Sequence, residues 1–423
     1  MTASNAGASS WADQLREWQA NWPVVLSGVF GFALLSLGSA SMGAFLAPVT
    51  ASLGFSRSEF SAGLTAYALV GIVGAPLVGI LINKWGVRAV AITGSLLVGL
   101  TYSLFATASG NFLYWLALWL VYACANQLIM TTVWWAAVSR VFTASRGLAI
   151  SVTILGTNIA VPIAPIVANE LIERQGWRSA FAMMGLSCGL VIALVCWIAL
   201  KGASAPLPAA QPGSADTART EAAPAGMPLS QALRSFAFFK LALASFLAYA
   251  VRLGVAFHLI PILSAGGVTR GTAVVIGGSY GLWMILGQVL SGAALDRFSA
   301  RWVGTLWLVL QSISCALLIL APHPLTLPIA AIALFGTTMG GIAPALPYLT
   351  SRYFGVANFD RLFGIIAGLS GLGFAVGPLL AGYAFDVSKS YAPFLAGTIP
   401  ALLIAALLII SLGRYPDGDR PAA

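Results

Sequence analysis

Twelve mostly apolar stretches follow one another near 24–49, 60–82, 89–108, 112–138, 147–169 and 179–200, then 238–262, 272–295, 302–321, 325–349, 362–384 and 391–412. Each is about twenty residues or longer, enough for a helix to cross a hydrocarbon core of about 30 Å. The runs are continuous and lack the alternation of transmembrane barrel strands, so they predict an all-α polytopic membrane protein. The breaks between them are short, and no folded extramembrane domain fits in the remaining chain. One break differs: residues 202–228, GASAPLPAAQPGSADTARTEAAPAGMP, are too rich in Ala, Pro, Gly and Ser to bury a core and read as a linker. The expected organisation is a leader over 1–23, a six-helix bundle over 24–200, a linker over 201–237, a second six-helix bundle over 238–412 and a tail over 413–423.

In the leader, Trp11, Leu15, Trp18 and Trp22 recur at steps of four, three and four beside Arg16 and Glu17. That places them on one helical face and predicts an interfacial helix that Pro23 breaks away from the first span, with a frayed aromatic leader as the alternative.

The two bundles repeat each other. At an offset of 213 residues Gly74 matches Gly287, Gly79 matches Gly292, Asn83 matches Asp296, Lys84 matches Arg297 and Arg88 matches Arg301. Pro165 falls on Pro378 and Ala168 on Ala381 at the same offset, and Ser139-Arg140-x-Phe142 meets Ser351-Arg352-x-Phe354 at 212. The repeat predicts two pseudo-symmetric six-helix bundles, related by an axis along the membrane normal, with a substrate path between them.

Charge sharpens this picture. The chain has 423 residues, 59% hydrophobic and 8% charged, with a net charge of +9. In a soluble protein that balance would suggest nucleic acid as a partner, but here position decides. With the amino terminus inside, fifteen of the 21 Lys and Arg fall in inside connections and five outside, which predicts cytoplasmic termini and leaves no nucleic-acid surface. The remaining one, Arg252, lies within the seventh span.

Gly79-Ile-Leu-Ile-Asn83-Lys84-Trp-Gly86-Val-Arg88 and Gly292-Ala-Ala-Leu-Asp296-Arg297-Phe-Ser-Ala-Arg301 resemble the cytoplasmic loop signature of the major facilitator superfamily, in both expected places. Gly43-Ala-Phe-Leu-Ala-Pro48 with Leu53-Gly-Phe-Ser-Arg57-Ser-Glu59-Phe-Ser61 is similar to the first-loop pattern of monocarboxylate transporters and oxalate:formate exchangers. Gly176-Trp-Arg178-Ser-Ala-Phe181 and His258-Leu-Ile-Pro261 resemble bacterial members of that branch. The resemblance implies the major facilitator fold, a cavity lined by the first, fourth, seventh and tenth spans, and a cytoplasmic gate built from Asn83, Lys84, Arg88, Asp296, Arg297 and Arg301. Asn83 stands where the family pattern expects Asp, which weakens any latch in the first half, and positive-inside anchoring is the other reading there. The branch's basic residue in the eighth span is absent, as is the exchangers' basic residue in the eleventh. Proton symport, anion exchange and uniport therefore all stay open.

A charged Arg252 at mid-membrane should face a watery cavity or the bundle interior. Its planar, permanently charged fork suits a carboxylate, so the expected substrate is a small organic anion. Bonding to helix carbonyls or polar side chains is the alternative. Ser245 and Tyr249 share its helical face. Gln127 and Trp134 share a face of the fourth span with Asn126 beside them, and Tyr280 and Trp283 are three apart in the eighth, which makes these aromatic and polar residues substrate-binding candidates. His258 is the proton-coupling candidate, although pairing it with Arg252 would need a distortion at Gly254. Gly156, Pro162 and Pro165, mirrored by Gly373, Gly377 and Pro378, should shape helix movement.

With no phosphate-binding loop, no metal spacing and four Cys in apolar runs, neither an enzyme, a cofactor nor a disulfide framework is expected. The expected function is a monomeric secondary transporter in the inner (plasma) membrane. It would carry a monocarboxylate-type anion, with or without a proton, by alternating access. A multidrug or amphipathic-compound effluxer and a non-transporting membrane sensor are the alternatives.

Overall fold

In a bilayer the backbone must satisfy its own hydrogen bonds, and the chain is accordingly helical over almost all of its described length. The structure is a computed structural model describing residues 11–142, 145–201, 227–295, 297–320, 325–355 and 358–413. The first half comprises α1 (Trp11–Leu53), α2 (Arg57–Ser103), a 3-10 turn (Leu104–Thr107), α3 (Phe112–Gln127), α4 (Thr131–Ser139) and α5 (Arg146–Ala199). After the short α6 (Leu229–Arg234), the second half comprises α7 (Phe236–Ala265), α8 (Arg270–Gly278), α9 (Tyr280–Leu295), α10 (Ala300–Ile319), α11 (Thr326–Phe354), α12 (Phe359–Ser388) and α13 (Ala392–Ile410).

Ten helical stretches among the described residues are long and apolar enough to cross a membrane. Two helices make two passes each. α2 turns at Gly86 (φ 80°) and α5 at Gly176 (φ 81°), a left-handed backbone conformation that glycine adopts without strain. Conversely, α3 and α4 share one pass, as do α8 and α9, so the described helices make twelve passes through the bundle. The ends of the described chain, Trp11 and Gly413, and the described residues that flank the linker, Lys201 and Met227, lie on one face of the bundle, called here the linker face. The α1–α2, α7–α8 and α12–α13 connections lie on the opposite, distal face.

α1 corrects one expectation. Its 43 residues run through Pro23 unbroken, about 64 Å at 1.5 Å per residue, so residues 11–23 of the leader continue the first span and are not a separate helix, while residues 1–10 lie outside the described residues. Side-chain contacts hold it upright. Trp18 packs edge-on against Phe142 at 5.3 Å, and the Glu17 carboxylate accepts from the Ser145 N–H and hydroxyl at 3.1 Å, at the start of α5. Trp11, Leu15 and Trp22 remain exposed.

The internal repeat is visible in the packing. Gly156 of α5 lies directly against the Val29 carbonyl and the Ala33 nitrogen of α1, while Gly373 of α12 lies against the Phe246 carbonyl and the Ala250 nitrogen of α7. All three pairs of equivalents are 217 residues apart. Each half is therefore built on the same close crossing of its first and fifth passes, where only a hydrogen fits.

The halves meet mainly through α2 with α12, α1 with α7, and α5 with α8 and α9. Residues 364, 368, 371, 375, 382 and 386 share one face of α12 on a 100°-per-residue helix. Toward the distal face this surface is packed on α2: the Thr65 hydroxyl donates to the Ala375 carbonyl at 2.7 Å, and Gly382 lies against the Arg57 backbone. Toward the linker face the same surface is open, since Gly364, Gly368 and Gly371 have free space where a side chain would be. The bundle is thus closed at its distal end and parted at its linker end.

Candidate functional site

α7 carries Arg252 to mid-membrane without distortion, since it is helical from Phe236 to Ala265 through Gly254. Arg252 is 7% exposed. Its guanidinium carbon stands 4.7 Å over the Tyr249 ring, three residues earlier on the same face, and its charge reaches the Tyr280 phenol of α9. Nε and Nη1 are buried and have no hydrogen-bond partner among the described residues. Among the described residues no carboxylate stands within ion-pair distance of it. Ser245 offers no relief, because its hydroxyl is spent on the Leu241 carbonyl at 2.8 Å. A buried charge in this condition is costly unless something else supplies the counter-charge.

The other sequence candidates divide. Tyr249 and Tyr280 stand with Arg252, and Trp283 is 38% exposed on the next turn of α9. The fourth span behaves differently. It is interrupted at 128–130, where tight turns close onto Ala125, Asn126 and Gln127 at 3.0–3.2 Å. Trp134 splints this break: its indole N–H donates to the Ile129 carbonyl at 2.8 Å, its ring lies on Gly31 of α1, and it has no exposed surface. Trp134 is therefore packed inside the first half, and its neighbour Trp135, 39% exposed, is the accessible ring. Trp134→Phe is expected to leave the Ile129 carbonyl unpaired at a cost of about 1–2 kcal/mol, read as a lower melting temperature of the purified protein. Asn126 is fully buried and accepts from the Tyr67 hydroxyl of α2 at 2.9 Å, while the Gln127 side chain donates to the Ala123 carbonyl at 3.3 Å. Asn126 Nδ2 and Gln127 Oε1 have no partner among the described residues. A crevice of about 770 Å³ between α1 and the two passes of α5 is apolar and contains none of these candidates.

His258 bonds to other partners and not to Arg252, in a cluster toward the distal end that joins the halves. Its Nε2 faces the Pro378 carbonyl of α12 at 3.0 Å and the Ser61 hydroxyl of α2 at 3.1 Å, and its Nδ1 meets the Tyr391 hydroxyl at 2.8 Å. Burial pushes the Tyr391 phenol up to about 12, so it keeps its proton. Since a carbonyl can only accept, the consistent order is Arg57 donating to Tyr391, Tyr391 to Nδ1, and Nε2–H to Pro378. Arg57 lies 3.4 Å over the Phe385 ring. Asp386 accepts from the Arg57 N–H at 2.9 Å, the Ser58 N–H at 2.8 Å and the Ser58 hydroxyl at 2.6 Å. Nearer mid-membrane, Asn158 of α5 donates to Gln288 of α9 at 3.3 Å. Sequence reasoning placed Arg57 in an outer loop and passed over Asp386 altogether.

The Major Facilitator Superfamily model matches residues 28–275 and 241–423, which together take in nearly all of this two-halved arrangement. The chain belongs to the major facilitator superfamily. Monocarboxylate transporter 13 of Rattus norvegicus is 26% identical over 411 residues, covering 93% of this chain and 89% of the relative. Among solved structures, a point mutant of the nucleoside transporter NupG superposes with a TM-score of 0.76 at 12% identity, covering 92% of this chain and 100% of that one. A bacterial homologue of the human lysosomal transporter Spinster, inward-facing and unoccupied, gives 0.67 at 17% identity, covering 92% and 96%. These likenesses show the fold. The protein is thus a multi-pass secondary transporter of this superfamily and not an enzyme.

The superfamily's loop signature is only partly described. Asp296 and the Asn83 side chain lie outside the described residues, Lys84 and Arg297 are exposed, and Arg301 is half-buried. Arg88 donates to the Trp197 carbonyl at 2.8 Å, which ties the second pass of α2 to the end of α5 within the first half.

Proposed function

We propose that this superfamily member carries a small organic anion of the monocarboxylate type past Arg252 by alternating access. The observation that carries this reading is the buried guanidinium itself, which is stacked on Tyr249 and, among the described residues, has no carboxylate beside it. A substrate carboxylate is the group whose charge and planar geometry complete it. The likeness to a protein named as a monocarboxylate transporter points the same way. Tyr249, Tyr280 and Trp283 would contact the organic part of the substrate. The excess of basic residues at the linker-side connections supports a cytoplasmic position for that face in an inner-membrane protein, and on this reading the structure corresponds to the inward-open state.

Thermal-shift titration of the purified protein against monocarboxylates, dicarboxylates, sugars and amphipathic drugs tests the substrate class. Ligands of the native state raise its melting temperature, and monocarboxylates are expected to do so most. Stabilisation by neutral or cationic amphipaths alone would replace this reading with drug efflux. Proteoliposome uptake then separates the coupling modes: acceleration by an inward proton gradient indicates symport, and acceleration by internal carboxylate indicates exchange.

A further inference from the structure

We propose that Asp386 is the gate-closing residue of the distal face, acting as a cap supplied by one half to the first turn of α2 in the other.

The start of α2 accounts for every one of its N–H groups. A helix begins with donors that have no acceptor of their own within the helix. Ser56 and Glu59 form a local capping box: the Ser56 hydroxyl accepts from the Glu59 N–H at 3.1 Å, and the Glu59 carboxylate accepts from the Ser56 N–H at 2.8 Å. The Phe60 N–H reaches the Ser56 carbonyl at 3.1 Å. That leaves the N–H groups of Arg57 and Ser58, and these are the two that Asp386 takes, one on each carboxylate oxygen. The second half thus finishes a cap that the first half leaves incomplete.

The arrangement is not a side-chain ion pair. The Arg57 guanidinium lies over Phe385 and donates to Tyr391, and it is not within ion-pair distance of Asp386. The negative charge therefore faces the positive end of a helix, where two backbone dipoles and a hydroxyl hold it in fixed geometry. His258 adds a second tie from α7 to Ser61, one turn further into α2. Arg57, Ser58 and Asp386 are all half-buried, so water can take over their bonds when the halves part. The Asp386 cap can therefore release without stranding a buried polar group of its own.

This inference rests on transport by alternating access but not on the identity of the substrate, and its test needs no substrate. Hydrogen exchange of the purified full-length protein, read by mass spectrometry, compares the parent with Asp386→Asn. The amide side chain keeps one acceptor oxygen, loses the charge and sets an N–H against an N–H. Exchange at 57–61, 254–261 and 375–382 is expected to quicken by about tenfold, while 359–371 on the linker side becomes better protected as that face closes. Glu59→Ala, which removes the local cap alone, should quicken exchange only at 56–60. Deprotection in Asp386→Asn confined to 57–60, or an equal spread from Glu59→Ala, would make Asp386 an ordinary cap and overturn the proposal. Should Asp386→Asn lose protection everywhere, Ser58→Ala removes only the 2.6 Å contact and is read in the same segments. It is expected to show the same distal spread and linker-side gain at smaller amplitude, and an effect confined to 57–60 would equally overturn the proposal.

Discussion

Arg252→Met is expected to abolish carboxylate uptake into proteoliposomes while leaving the purified protein at least as resistant to heat as the parent. The two halves of this result have one cause. A buried guanidinium with no counter-charge among the described residues destabilises the empty protein, and an apolar side chain of similar length removes that strain. The same change takes away the group that neutralises the substrate. Truncating one partner of a desolvated charge pair costs about 2–5 kcal/mol, so uptake efficiency should fall by about 100-fold or more. Arg252→Lys should fall between, because an ammonium keeps the charge but loses the planar fork and the stacking on Tyr249. A melting temperature several degrees lower with uptake preserved would show that Arg252 holds the bundle together and binds nothing.

Gly373→Leu should severely damage the fold itself. Any side chain there drives into the Phe246 carbonyl and the Ala250 nitrogen of α7, and backbone cannot rotate out of the way as a side chain can. Overpacking costs about 1–3 kcal/mol where neighbours can adjust, and this site should exceed that range. Gly156→Leu repeats the insult in the first half, against Val29 and Ala33. Size-exclusion profiles after detergent extraction should show both variants largely aggregated. Gly368→Leu, on the open stretch of α12, should run as the parent does. Equal profiles for Gly368→Leu and Gly373→Leu would mean that the α7–α12 crossing is looser than described.

The apolar runs and the 213-residue offset made the twelve crossings and the two-fold repeat legible in the sequence, because hydrophobic length and internal duplication are properties of the chain alone. Arg252 was legible for a similar reason: an intramembrane charge is conspicuous wherever it points. The contacts between helices were not. Trp134 and Trp135 are adjacent and chemically alike, and only the interruption at 128–130 decides that the first is buried and the second open. Pro23 reads as a breaker by propensity, but the docking of Trp18 on Phe142 and of Glu17 on Ser145 carries the helix through it. The distal cluster was hidden most completely, since Arg57 and Asp386 are 329 positions apart and each looks like an ordinary loop-end charge. Only the tertiary crossing of α2 and α12 brings them together.

Gly364, Gly368 and Gly371 leave the linker-side stretch of α12 with nothing larger than hydrogen on the surface that, nearer the distal face, is pressed against α2. A groove kept this clear makes α12 vulnerable to obstruction. A compound wedged along it would act as a brake on the transport cycle without resembling the substrate or touching Arg252, and no excess of substrate could displace it by simple competition.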